Sequence, residues 1–173
     1  MQADPLAAIV EQWNRERPDL DVSPMLVTSR LFRLADDLDR RLRPPFAAAG
    51  LGNGDFDVLA ALRRSGDPYT LSAGELSRTV LVTTGAISKR VDRLEARGLV
   101  VRTVAESDSR SRRITLTPEG LTLTDDLIAT HLTNQRQLLA ALDPEDRAQL
   151  ATLLARLATS LPPADTGDRR CAT

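Results

Sequence analysis

Residues 72–98, SAGELSRTVLVTTGAISKRVDRLEARG, decide the fold. Ser72 and Glu75 have the S-x-x-E spacing of a capping box, which predicts a short helix over 72–79. LVTTG interrupts the pattern, and a longer helix is expected over 84–97, ended by Gly98. In it Ile87, Val91 and Leu94 recur at i, i+4 and i+7, the spacing of a face packed on a domain. A short helix, a tight turn and a longer helix make a helix-turn-helix.

Two β-rich runs follow, LVVRTV at 99–104 and RITLT at 113–117, separated by the polar AESDSRSR. They read as a hairpin beside the second helix, a wing. Other helices are expected at 5–16, 24–48, 54–65, 118–141 and 144–161. Asp4-Pro5, Ser23-Pro24, Thr117-Pro118 and Asp143-Pro144 each place a capping oxygen before a proline. Pro44-Pro45 should kink or end the second of these helices early. The fold class is mainly α with a small β-hairpin wing. Residues 51–117 form the winged unit, flanked by helices at 23–50 and 118–161, with an added helix in 1–22 and a disordered tail over 162–173.

Charge is unevenly spread. Between Arg78 and Arg113 stand nine basic and four acidic residues, a net of +5, while the chain as a whole carries −1. A basic central third in a near-neutral chain points to nucleic acid. The second helix opens with small side chains, Thr83, Thr84, Gly85, Ala86 and Ser88, which let its positive end approach a groove closely. Lys89 and Arg90 follow within reach of base edges and phosphates. Arg110, Arg112 and Arg113 at the hairpin can set a guanidinium in a narrow minor groove. The expected DNA contacts are therefore Thr83, Thr84, Ser88, Lys89, Arg90, Arg110, Arg112 and Arg113.

Other classes have little support. The single cysteine, Cys171, excludes a disulfide framework and a cysteine-rich metal site and is a poor redox switch. With one histidine, His131, and no nucleophile set or phosphate-binding glycine loop, no catalytic residue, metal or cofactor is expected. His131, near the stripe of the last two helices, reads as structural, with a pH-sensing role as the alternative. No apolar run approaches the ~18 residues of a membrane span. The N-terminus lacks the basic-then-apolar order of a secretory signal, so a cytoplasmic protein is expected.

VTTGAISKRVDRLEARGLVVR followed by DSRSRRITLTPEG resembles the MarR family of bacterial transcription regulators over roughly residues 24–161. That resemblance implies a homodimer held by its N- and C-terminal helices, with two winged units on a pseudo-palindromic double-stranded operator. The sequence supports a dimer separately. Leu121, Ile128, Leu132, Leu139 and Leu142 share one face, and Leu150, Leu153, Leu154, Leu157 and Leu161 form another stripe.

The helix at 5–16, with VEQWNRERPDLDVSPM, is similar to a narrower branch whose members respond to urate, or in relatives to trans-aconitate and related small anions. The resemblance implies an effector site of Trp13, Asp57, Arg90 and Arg102. A planar anion suits forked guanidinium donors, an acceptor carboxylate and an aromatic wall. The expected function is a repressor released from its operator by a small anionic ligand, urate or a related purine or carboxylate. Two alternatives stand: a sensor of phenolic or other aromatic acids in the usual family cleft, with Trp13 structural, and a helical adaptor binding a protein partner.

Overall fold

The computed structural model describes residues 5–52, 54–80, 82–105 and 108–161, with side chains at all of these except Thr84 and residues 104–111. The expectations for the tail at 162–173 with Cys171, for Asp4 as a cap, and for the side chains of Thr84 and Arg110 fall outside what is described. By its contacts the chain divides into one unit through Asn134 and a second from Gln135 onward.

The first unit begins with α1 (Pro5–Glu16) and α2 (Pro24–Leu42), which pack on each other, and α3 (Pro44–Ala48). The helix expected over 24–48 is thus broken. Arg43 N–H still donates to Asp39 O at 3.0 Å, but Pro44 and Pro45 have no N–H to continue the ladder. Ser23 does not cap α2 as expected: its backbone is helical and its side chain accepts no cap bond. Instead its own N–H donates to the Asp21 carboxylate at 3.0 Å.

α4 (Asp55–Arg64), β1 (Thr70–Ser72), α5 (Ala73–Val80) and α6 (Thr84–Ala96) follow, then β2 (Val100–Ala105) and β3 (Asp108–Leu116). The capping box forms: Ser72 N–H donates to Glu75 Oε2 at 2.7 Å, and Glu75 N–H to Ser72 Oγ at 3.2 Å. Ser72 also ends a strand, which the sequence reading missed. The hairpin is one part of a three-stranded antiparallel sheet of order β1-β3-β2. Leu71 pairs with Ile114 on one side of β3, and Arg102 with the same Ile114 on the other. β3 also begins well before the predicted 113, because ladder hydrogen bonds carry the polar stretch from Asp108 as strand.

The core gathers Val58, Leu59 and Leu62 from α4, Leu76 from α5, Ile87, Val91 and Leu94 from α6, and Val100, Ile114 and Leu116 from the sheet. α7 (Pro118–Leu138) adds Leu127. Its start is fixed by Thr117, whose Oγ1 accepts from Gly120 N–H at 3.0 Å and donates to Gly98 O at 2.7 Å. Gly120 is there because a Cβ would overlap the Leu99 carbonyl oxygen. Among the described residues no helix is long and apolar enough to cross a membrane.

The second unit contains the end of α7 and α8 (Pro144–Ser160). Asp143 caps α8, accepting from Asp146 N–H at 2.8 Å, as its Asp-Pro signal predicts. α8 buries no residue, and Leu150, Leu153, Leu154 and Leu157 are exposed along it.

Candidate nucleic-acid interface and effector site

α6 starts at Thr83, whose side chain accepts from Ala86 N–H at 3.3 Å. The turn before it is pinned by Ser77 Oγ, which donates to Val82 O. With Ile87, Val91 and Leu94 in the core, Thr83, Ser88 and Lys89 are left exposed. On the wing Arg112 is exposed, while Arg113 lies 3.6 Å from Glu75 Oε2. Ser88, Lys89 and Arg112 thus belong to one helix and the adjoining strand. Small and basic side chains on an exposed helix beside a hairpin suit a major-groove reader with a flanking wing.

Much of the remaining positive charge is used inside the molecule, which counting charges along the sequence could not show. Arg90 and Arg93 on α6 and Arg97 just past its end form one stripe, and each grips the segment 49–57. Arg97 donates to Ala49 O and Gly50 O, both at 2.8 Å. Arg93 donates to Asp55 Oδ1 at 2.5 Å and Oδ2 at 3.3 Å. Arg90 donates to Gly54 O at 3.3 Å and stands 4.0 Å from Asp57 Oδ2. Asp55, 3% exposed, also accepts from Gly52 N–H at 2.8 Å. Its hydrogen bond raises the Arg93 pKa above the ordinary value, so the guanidinium stays charged. Gly54 sits at φ +77°, and a Cβ there would overlap the Arg90 guanidinium.

Arg102 is held elsewhere. From β2 it donates to Glu95 Oε2 at 2.5 Å, Asp92 Oδ1 at 2.6 Å and Ser88 O at 3.3 Å, all on α6. Its backbone N–H donates to Glu95 Oε1 at 3.0 Å. Burial pulls the Arg102 pKa down, but the bonds to Asp92 and Glu95 outweigh this and the net direction is up.

Of the four expected effector residues, then, one chain places Asp57 beside Arg90. Arg102 is ion-paired with Asp92 and Glu95. Trp13 is half-exposed on α1, with its carbonyl accepting from Arg17 N–H at 2.7 Å. Asp57 also lines a cavity of about 380 Å³ with Arg43, Phe46, Gly54, Phe56 and His131. Phe46 and Phe56 stack there at 4.4 Å, and His131 tilts against Phe46 at 5.2 Å. The sequence reading missed Asp55, Arg93, Glu95 and the Phe46–Phe56 pair. Only the i, i+3, i+7 spacing of the arginines hinted at the first two, and that spacing describes a solvated stripe equally well.

The fold and these exposed faces define a winged helix-turn-helix transcription regulator. A family model described as MarR family matches residues 49–111. PecS, an HTH-type transcriptional regulator of Dickeya dadantii, is 40% identical over 149 residues, covering 86% of this chain and 90% of PecS. The chain belongs to the MarR family. Among solved structures, Sco3205 from Streptomyces coelicolor, a MarR family regulator in complex with DNA, is 26% identical with a TM-score of 0.74, over 86% of this chain and 94% of that one. BpsR of Bordetella bronchiseptica, described with regulation of its DNA binding by 6-hydroxynicotinic acid, shares the fold at 22% identity and a TM-score of 0.67, over 78% of this chain and 94% of that one. These relatives are regulators, not enzymes.

Proposed function

We propose that the protein is a cytoplasmic, homodimeric repressor that binds a pseudo-palindromic duplex and leaves it when a planar anion, urate or a related purine or carboxylate, binds. The observation that carries this reading is α6 itself. One side of it is sealed in the core, Ser88 and Lys89 are offered outward, and Arg90 reaches back to Asp57. An anion that takes up Arg90 draws on the helix that reads DNA. A coupling of about 1–3 kcal/mol between the two sites lowers operator affinity some 5–150-fold. Trp13 and Arg102 complete the proposed site, and an anion reaching Arg102 must displace Asp92 or Glu95 from it.

The flanking segments 23–50 and 118–161 supply the dimer contact in this reading. Its support is apolar surface left exposed in a single chain: Phe32, 75% exposed, with Val27 and Leu34 on α2, and the leucines of α8.

A second reading has its own observation. The cavity lined by Phe46, Phe56 and His131 has an apolar aromatic wall that suits an aromatic ring, and Arg43, ion-paired with Asp39 at its edge, could meet a carboxylate only by leaving Asp39. It borders Asp57 but not Trp13 or Arg102.

One mobility-shift experiment separates the two. The duplex upstream of the protein's own gene is titrated with urate, other purines and aromatic acids, while Trp13 fluorescence is followed. On the urate reading the duplex is released with Trp13 quenching and Trp13→Phe needs more ligand; on the aromatic-acid reading release comes without quenching and Trp13→Phe leaves it unchanged.

A further inference from the structure

Glu95 binds Arg102 twice, through the backbone N–H and through the guanidinium, and Asp92 one turn earlier takes the other guanidinium nitrogen. Two carboxylates of the reading helix therefore close on one residue of the wing. The Arg102 side chain is 20% exposed, and Nη2 also reaches Ser88 O, the carbonyl of a residue offered to DNA. Two positions along β2 stands Val104, whose ladder partner is Arg112. Arg102 is thus fixed to α6 at the base of the wing that carries the exposed arginine. A guanidinium facing two carboxylates has no net positive charge to offer a phosphate: the three side chains together sum to −1.

We infer that Arg102 is a positioning residue, clamped by Glu95 and Asp92, that sets the wing at a fixed angle to the reading helix so that both engage one operator half-site. The inference rests on the DNA-binding reading above. It assigns Glu95 and Asp92, two acids beside a polyanion, a part in binding that polyanion. The sign of their effect is therefore diagnostic. Electrostatics alone says that removing an acid near DNA strengthens binding. The clamp says the reverse, because charge-assisted bonds that hold the wing in place are lost.

The test measures operator affinity across a salt series for the parent, Glu95→Ala, Asp92→Asn and Arg102→Ala, with a melting curve for each. Groove protection is read on the complexes, by hydroxyl radical for the minor groove and by guanine N7 methylation for the major groove. The clamp predicts that Glu95→Ala and Arg102→Ala bind about tenfold more weakly, and Asp92→Asn, which loses charge but keeps an acceptor oxygen at an exposed site, about threefold more weakly. It also predicts an unchanged salt slope and wing protection lost before major-groove protection. Asp92→Asn is an exposed, conservative change that leaves the Glu95 bonds in place, so it tests the idea even where Glu95→Ala fails to fold. Binding equal to or tighter than the parent in Glu95→Ala and Asp92→Asn overturns the clamp. So does a slope that falls by about one in Arg102→Ala, the mark of a direct phosphate contact, or a parallel loss of both protections. A parent that binds no duplex overturns the regulator reading and the clamp with it, whereas normal parent binding with unaffected variants removes the clamp alone.

Discussion

Arg93→Ala cuts the contact between α6 and the first residue of α4, and the structure sets the size of the effect. Asp55 is buried and accepts three hydrogen bonds, two from Arg93 and one from Gly52 N–H. The substitution leaves that carboxylate with one. Breaking a fully buried pair costs about 3–5 kcal/mol because a charge is stranded. The Arg93 side chain is half-exposed, so water enters the space it leaves and screens the remaining charge. The expected loss is about 2 kcal/mol, a melting-point fall of about 4–8 °C for a chain of this size. Asp55→Asn in the same background removes the stranded charge and should restore part of the loss, a coupling of about 1 kcal/mol. Thermal unfolding by circular dichroism, at one protein concentration and pH 7, reads both. An Arg93→Ala protein melting within a degree or so of the parent, or strictly additive changes, would refute the staple.

Further outcomes follow from other contacts. Gly120→Ala forces a Cβ onto the Leu99 carbonyl and should cost about 2–3 kcal/mol in urea unfolding, with operator contacts unchanged once folded. Hydrogen bonds from the Ser72 N–H and side chain, with Arg113 beyond, hold the Glu75 pKa below the ordinary glutamate value. Its contribution is therefore full above about pH 4.3 and fades as pH falls through the lower folded value, so the parent and Glu75→Gln should converge in acid and diverge toward neutrality. Arg112→Ala should lower the salt slope of DNA binding by about one, whereas Ser88 and Lys89 substitutions should change preference among operator variants. Leu153→Glu with Leu157→Glu should shift sedimentation toward monomer, and an undisturbed dimer would take α8 out of the interface.

Most of the helices were legible because their starts are chemically marked. Ser72 with Glu75, Thr117-Pro118 and Asp143-Pro144 all form the caps that their spacing predicts. Ser23-Pro24 carries the same signal, yet Ser23 remains helical and makes no cap bond, so the proline alone marks that start. β1 was not legible: Thr70–Ser72 is too short to show alternation, and it is strand only because β3 offers it a ladder. The polar half of β3 was hidden in the same way. α6 was visible as a helix from its apolar spacing. The destinations of its arginines were not, because their partners lie 36–48 residues away. Periodicity gives the face of a helix a residue occupies, but only the tertiary fold gives Arg93 its Asp55 and Arg102 its Glu95.

The most direct test of the central claim is fluorescence anisotropy of a labelled duplex from upstream of the protein's own gene, titrated across a salt series beside a scrambled duplex of equal length. The account predicts saturable binding as a dimer, an affinity that falls steeply with salt, and at least a hundredfold preference for the upstream sequence, within the roughly 10³–10⁷ range of sequence-specific binders or just below it. Equal, weak binding to both duplexes, or binding indifferent to salt, would contradict it.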